Sequence, residues 1–167
     1  MSFSLDITNW VKKAKGNADK VVKKVVIDLS TSVIMKTPVG DPKYWQGSYY
    51  DLYTKTGKRR KRRKLVTPSK PDGYVGGTAR ANWQYGNNVM PGGIIDDTDK
   101  SGNKTIAALT GEIKLSNGAA VHWITSSLPY IIALEHGWSR QAPHGMVGLT
   151  VTEFQQIVKR AAQNERT

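Results

Sequence analysis

There is no cysteine anywhere in the chain. That removes disulfides and thiolate metal sites together, and makes a reducing compartment the simplest setting. No apolar run approaches the roughly 20 residues of a bilayer-spanning helix, and the N-terminus lacks the apolar core of a signal peptide. The expectation is a soluble chain, made in the cytoplasm, with no membrane partner. Acidic residues are scarce: 13 Asp and Glu stand against 25 Lys and Arg, for a net charge of +12. The three histidines, His122, His136 and His144, are not spaced as metal ligands on one helix face. No internal repeat is evident.

The positive excess is concentrated. Lys58, Arg59, Arg60, Lys61, Arg62, Arg63 and Lys64 are consecutive, and removing these seven from the total of +12 leaves +5, an ordinary value for 167 residues. One segment is thereby marked for contact with DNA or an acidic protein surface, and the rest of the fold is no polycation. A length of 167 residues favours a single domain, 1–167, large enough to bury a core without staples.

Hydrophobic periodicity predicts a helix over 6–36. Asp6 stands as an N-cap, and Trp10, Val11, Ala14, Ala18, Val21, Val22, Val25, Leu29 and Val33 recur at three- and four-residue steps. Gly16-Asn17 leaves open whether that helix is one piece or two. Thr37-Pro38 ends it, because the residue before proline is pushed towards extended conformations. Residues 41–76 show no apolar period and carry Tyr44, Trp45, Tyr49, Tyr50 and Tyr53 ahead of the basic run. They form a long basic and aromatic insertion, too long for an ordinary connection.

A first strand is expected to open at Gly76–Trp83 and to be interrupted by Gly86-Asn87-Asn88, before the polar loop Asp96–Asn103. A hairpin is then expected from Ile106–Leu115 through Asn117-Gly118 to Ala119–Thr125. Ser127, Pro129 and Gly137 bracket a short helix with Leu128, Ile131, Ile132 and Leu134 on its apolar face. Gly137–Gly148 reads as a shaped loop. A last helix spans 147–163, with Val147, Val151, Phe154, Ile157, Val158 and Ala161 along one side. The fold class is therefore α+β: an antiparallel sheet packed by a long N-terminal helix, a short central helix and a C-terminal helix.

Three catalytic or ligand-binding readings fail on spacing. Asp97, Asp99, Ser101 and Gly102 match the opening of a calcium loop, but the twelfth position, where a bidentate Glu is needed, is Ala108. The loop reads as a solvated turn. Lys104-Thr105 echoes a phosphate-binding loop, yet Thr98 and Asn103 occupy its glycine positions. Glu135-His136 with His144 lacks the further carboxylates of a metal-dependent nuclease. No cofactor or enzymatic activity is expected.

Three phrases remain: Thr37-Pro38-Val39-Gly40; Gly77-Thr78-Ala79-Arg80-Ala81-Asn82-Trp83; and Leu128-Pro129-Tyr130 through Glu135-His136-Gly137-Trp138-Ser139 to Gln141-Ala142-Pro143-His144-Gly145. In this order, over residues 20–160 apart from the insertion, they resemble the neck or tail-completion proteins (minor tail components) of long-tailed bacteriophages. The resemblance implies a structural protein of the virion, made in the host cytoplasm and placed at the head–tail joint. It would form a homo-oligomeric ring through which genomic DNA passes without sequence-specific contact. Sixfold symmetry is implied on the tail side and twelvefold on the head side, with head-closure and tail-terminator or tail-tube proteins as neighbours. Nothing about the insertion follows from it, because the family commonly lacks one.

A ring needs two different, mutually complementary surfaces on each subunit. Trp138, Arg140, Pro143 and His144 are candidates for one of them, since tryptophan and arginine supply much of interface energy. Arg80 and Glu135, both within matched phrases, are expected to pair and tie the first strand to the central helix. The alternative for the whole chain is a free-standing basic nucleic-acid-binding protein acting through 58–64.

Overall fold

The computed structural model describes residues 3–40, 49–53, 58–66, 74–116 and 119–164. Helix α1 (Phe3–Lys36) runs unbroken for 34 residues. It passes through Gly16-Asn17 as one piece, and Asp6 lies inside it rather than at its cap. Among its described side chains, those of the second half are built into the body. Residues 12–16 are exposed and a side chain at Gly16 would meet nothing, whereas Val25, Val26, Val33 and Ile34 are buried. The lysines at 12, 13, 15 and 20 are exposed, whereas Lys23 and Lys24 are half-buried in ion pairs with Asp19 and Asp28.

Two helices cover the buried half of α1. Helix α5 (Val147–Asn164) packs Ile157 and Ala161 against Val25. Across the same pair, Glu153 accepts hydrogen bonds from Ser32 (2.9 Å) and Lys36 (2.7 Å). Helix α3 (Asn103–Leu115) brings Leu109 and Ile113 onto Val26, Val33 and Ile34. This helix replaces the strand expected over Ile106–Leu115. Its buried residues, Thr105, Leu109 and Ile113, fall at four-residue steps, so helical spacing prevailed over the local β-branched content.

The sheet is correspondingly smaller. Strand β3 (Gln84–Asn87) pairs antiparallel with β4 (His122–Thr125), in the register Gln84↔Thr125 to Asn87↔His122. The partner of the returning strand is thus β3, not the segment before Asn117-Gly118; that dipeptide itself lies outside the described residues. The Gly77–Trp83 phrase also differs from expectation. Thr78–Ala81 forms a single helical turn, α2, entered through Gly77 at φ +95°, and Trp83 follows it into the core. Helix α4 (Ile131–Glu135) is shorter than the expected helix and begins after Tyr130, so Ser127 does not cap it.

A second antiparallel pair, β1 (Tyr49–Tyr53) with β2 (Arg59–Val66), forms inside the insertion, with a bulge between Asp51 and Tyr53. The expectation of an irregular segment is corrected to that extent; Tyr44 and Trp45 lie outside the described residues. The described helices and strands therefore make an α+β fold in which β3 and β4, α3 and α5 gather around α1. Among the described residues no helix is long and apolar enough to cross a membrane.

The end of α1 is fixed by polar contacts as much as by proline. Thr37, fully buried, donates its hydroxyl to Val33 O (2.7 Å) and accepts the indole N–H of Trp83 (2.8 Å). Removing that acceptor leaves a buried N–H with no partner, which costs about 1–3 kcal/mol. Thr37→Val is therefore expected to lose about that much stability in urea unfolding, and Thr37→Ser to lose less. Equal losses in the two variants would show that the methyl group, not the hydroxyl, matters.

Candidate functional site

The three motif phrases converge on one joint. Arg80 donates to three backbone carbonyls: Thr37 (2.8 Å), Met35 (3.0 Å) and Lys100 (2.7 Å). Two of these belong to the last turn of α1, where helix carbonyls lack partners and the dipole favours a cation. Gly77 N–H donates to Val39 O (2.6 Å), and a Cβ on Gly76 would come within 2.7 Å of that same oxygen. Val39 N–H in turn donates to the Gln141 side chain at 3.2 Å, which brings in the third phrase.

Glu135 is engaged elsewhere. Its carboxylate accepts the N–H groups of Met146, Val147 and Gly148, each at 2.8 Å, and so caps the N-terminus of α5 from outside that helix. Burial pushes its pKa up, but the three backbone donors outweigh that and hold it below the ordinary carboxylate value. The expected Arg80–Glu135 pair does not form. Arg80 serves the C-terminal carbonyls of one helix and Glu135 the N-terminal amides of another.

The clasp shapes the loop between α4 and α5. Gly137, at φ +81°, closes α4 with paired bonds, Gly137 N–H to Leu134 O and Trp138 N–H to Ala133 O. This is a left-handed C-terminal cap that favours glycine. At Gly145, φ +76°, a Cβ would strike the carbonyl and carboxylate of Glu135. Ala142 and Met146 are anchored in the core. The loop is thus pinned at both ends and in its middle, and what it turns outward is Trp138, Arg140, Pro143 and His144. All four predicted interface residues are exposed, Trp138 to 83%. An apolar stripe continues along α5, with Val147, Val151 and Phe154 exposed at helical spacing. These three belong to the apolar side expected for that helix, of which Ile157, Val158 and Ala161 are packed with α1.

The basic run lies mainly on β2, with Lys58 just before it. Lys58, Arg59, Lys61 and Arg62 are exposed and Arg60 is half-buried; the side chains of Arg63 and Lys64 lie outside the described residues. Successive residues of a strand point to opposite faces, so a consecutive run places cations on both sides of the ribbon.

Two chemically suggestive groups prove to be structural. Asp99 is buried and receives Gly102 N–H (2.8 Å), Thr105 N–H (2.9 Å) and the Ser101 and Thr105 hydroxyls (2.9 and 3.0 Å). The solvated turn expected here is therefore a buried cap for α3. Its sequence signal was an aspartate a few residues before an apolar helical repeat. His122 is half-buried on β4, with Nδ1 2.7 Å from the Tyr85 hydroxyl and its ring stacked on that tyrosine. Among the described residues no cluster of His, Asp or Glu is arranged to hold a metal ion. Compared with family models, with curated proteins and with solved structures, the chain matches none.

Proposed function

We propose that this chain is a structural subunit of a phage head–tail joint, a neck or tail-completion protein that assembles into a ring around passing DNA and performs no reaction. The observation that carries the reading is the clasped loop 137–148. A five-residue helix, two left-handed glycines and a three-point carboxylate cap are all used to hold one exposed tryptophan and its polar neighbours in a fixed shape. Rigid aromatic display of this kind suits a protein interface, because little side-chain and loop entropy is lost on docking. The ordered set of phrases that resembles the phage family supports it further, since those phrases meet at one joint.

The basic ribbon is the part of the subunit that meets the genome. Lys and Arg along this ribbon can neutralise phosphates wherever they lie, without reading sequence, as a channel through which any sequence passes requires. The same ribbon favours the second reading, a free-standing nucleic-acid-binding protein, and one pair of measurements separates the two. Light scattering and negative-stain imaging of the purified chain are expected to show closed rings, of six copies if the joint's tail side is its place. Replacing Lys58–Lys64 with serine should weaken duplex binding about a hundredfold or more at low salt and flatten its salt dependence, leaving the rings intact. A chain that stays monomeric on duplex DNA at every concentration sinks the ring and leaves the second reading.

A further inference from the structure

Resting on the ring reading, we infer that the surface meeting the Trp138 patch is the loop 88–96 of a second copy of this chain. That loop follows β3 and is held by its backbone. Asn82, fully buried, accepts Ile95 N–H (2.7 Å) and donates to Ile95 O and to Thr78 O (both 2.9 Å). Gln84 donates to Gly93 O (2.8 Å), and Asn88 N–H to Val121 O (2.8 Å). With its polar groups tied inward, the loop turns its large apolar side chains out: Val89 is 74% exposed, Met90 and Ile94 60% each. An ordinary solvent loop has the opposite distribution, and a run of ordered, exposed apolar side chains marks an interaction site.

The two patches differ in the way a head-to-tail contact needs. The loop ends in acid at exposed Asp96, directly after Ile94-Ile95, while the neighbouring Asp97 is already paired with Lys104. The Trp138 patch is apolar with one exposed cation, Arg140, beside it. Each therefore offers apolar area together with the charge that the other lacks, and neither complements itself. Contacts between two such unlike surfaces propagate from copy to copy and close into a ring when the rotation fits.

The test uses two variants of the full chain, each with one face spoiled at exposed positions where glutamate leaves folding intact. One is Met90→Glu with Ile94→Glu; the other is Trp138→Glu with Val151→Glu. Circular dichroism and unfolding midpoints verify that both fold. In sedimentation velocity the wild type is expected to assemble and each variant alone to remain a monomer. An equimolar mixture is expected to form a dimer and nothing larger, because only one productive contact remains. If either variant assembles alone as the wild type does, or the mixture stays monomeric while the wild type assembles, the loop is not the partner face and the ring reading stands. If the wild type itself never associates, the ring reading falls and takes this inference with it.

Discussion

Glu135→Ala is expected to lower folding stability by about 2–3 kcal/mol and the melting temperature by about 5–10 °C. Three charge-assisted hydrogen bonds vanish together, which would suggest a larger figure. Two of the three donors, the amides of Val147 and Gly148, are solvent-exposed and regain water, so only the Met146 amide is left stranded. Glu135→Gln keeps an acceptor and loses the charge at the helix N-terminus, and is expected to lose about half as much. The effect carries a pH signature. The folded carboxyl has a pKa below its ordinary value, so its contribution is complete above the unfolded pKa of about 4.3 and disappears as pH falls through the folded value. The stability gap between wild type and Glu135→Gln should therefore be constant near neutrality and close in acid. A gap that does not change with pH would mean that the carboxylate is not what holds α5. Because the same carboxylate shapes loop 137–148, ring assembly should weaken in Glu135→Ala even where the chain remains folded.

That prediction also shows where sequence reasoning succeeded and where it stopped. The two long helices were legible because each repeats apolar residues at helical spacing for several turns, and Thr37-Pro38 and Gly137 fixed two ends through backbone preference alone. The exposure of Trp138, Arg140, Pro143 and His144 was legible too, from glycines and tryptophan crowded where no apolar period runs. The Arg80–Glu135 pair misled because side-chain charges are visible in a sequence and helix-end charges are not. Each end of an α-helix leaves several backbone groups without partners, equivalent to about half an elementary charge. Arg80 took the carbonyl end of α1, Glu135 the amide end of α5, and Asp99 the amide end of α3. Once α3 was misread as a strand, its N-terminus did not exist to be capped, and the aspartate before it looked like a solvent residue. On α5, too, periodicity identifies an apolar face and does not say how much of it the same chain covers. Val151 and Phe154 belong to that face and are left open.

Asp99→Ala should be the more damaging of the two cap substitutions, at about 3–5 kcal/mol and a fall in melting temperature of roughly 10 °C. Its carboxylate is buried, and Gly102 N–H, Thr105 N–H and the Thr105 hydroxyl lie in the same buried pocket, so water does not readily replace it. The consequences spread beyond α3. Asp99 N–H donates to Gly77 O (3.2 Å), a Cβ on Gly77 would come within 2.7 Å of the Asp99 carbonyl carbon, and Arg80 binds the next carbonyl, Lys100 O. The side chain of Asp99 thus fixes the start of α3 while its backbone and the Lys100 carbonyl register that start against α2 and, through Arg80, the end of α1. Asparagine is no conservative replacement: each carboxylate oxygen accepts a backbone N–H, so the amide nitrogen would face one of these donors whichever way it turned, and Asp99→Asn is expected to lose about 2–3 kcal/mol. Burial raises the Asp99 pKa, and the donors from Thr105, Ser101 and Gly102 more than reverse it, leaving the group below its ordinary value. Its contribution is thus complete above the unfolded pKa of about 3.9 and lost as pH falls through the folded one, so wild type and Asp99→Asn should converge only in strong acid. Native-state hydrogen exchange gives the local readout. Amides at Gly102 and Thr105 should exchange much faster in Asp99→Asn than in the wild type, ahead of those deep in α1. An Asp99→Asn protein as stable as the wild type at neutral pH, with those two amides still protected, would show that this carboxylate does not hold the joint between α1, α2 and α3.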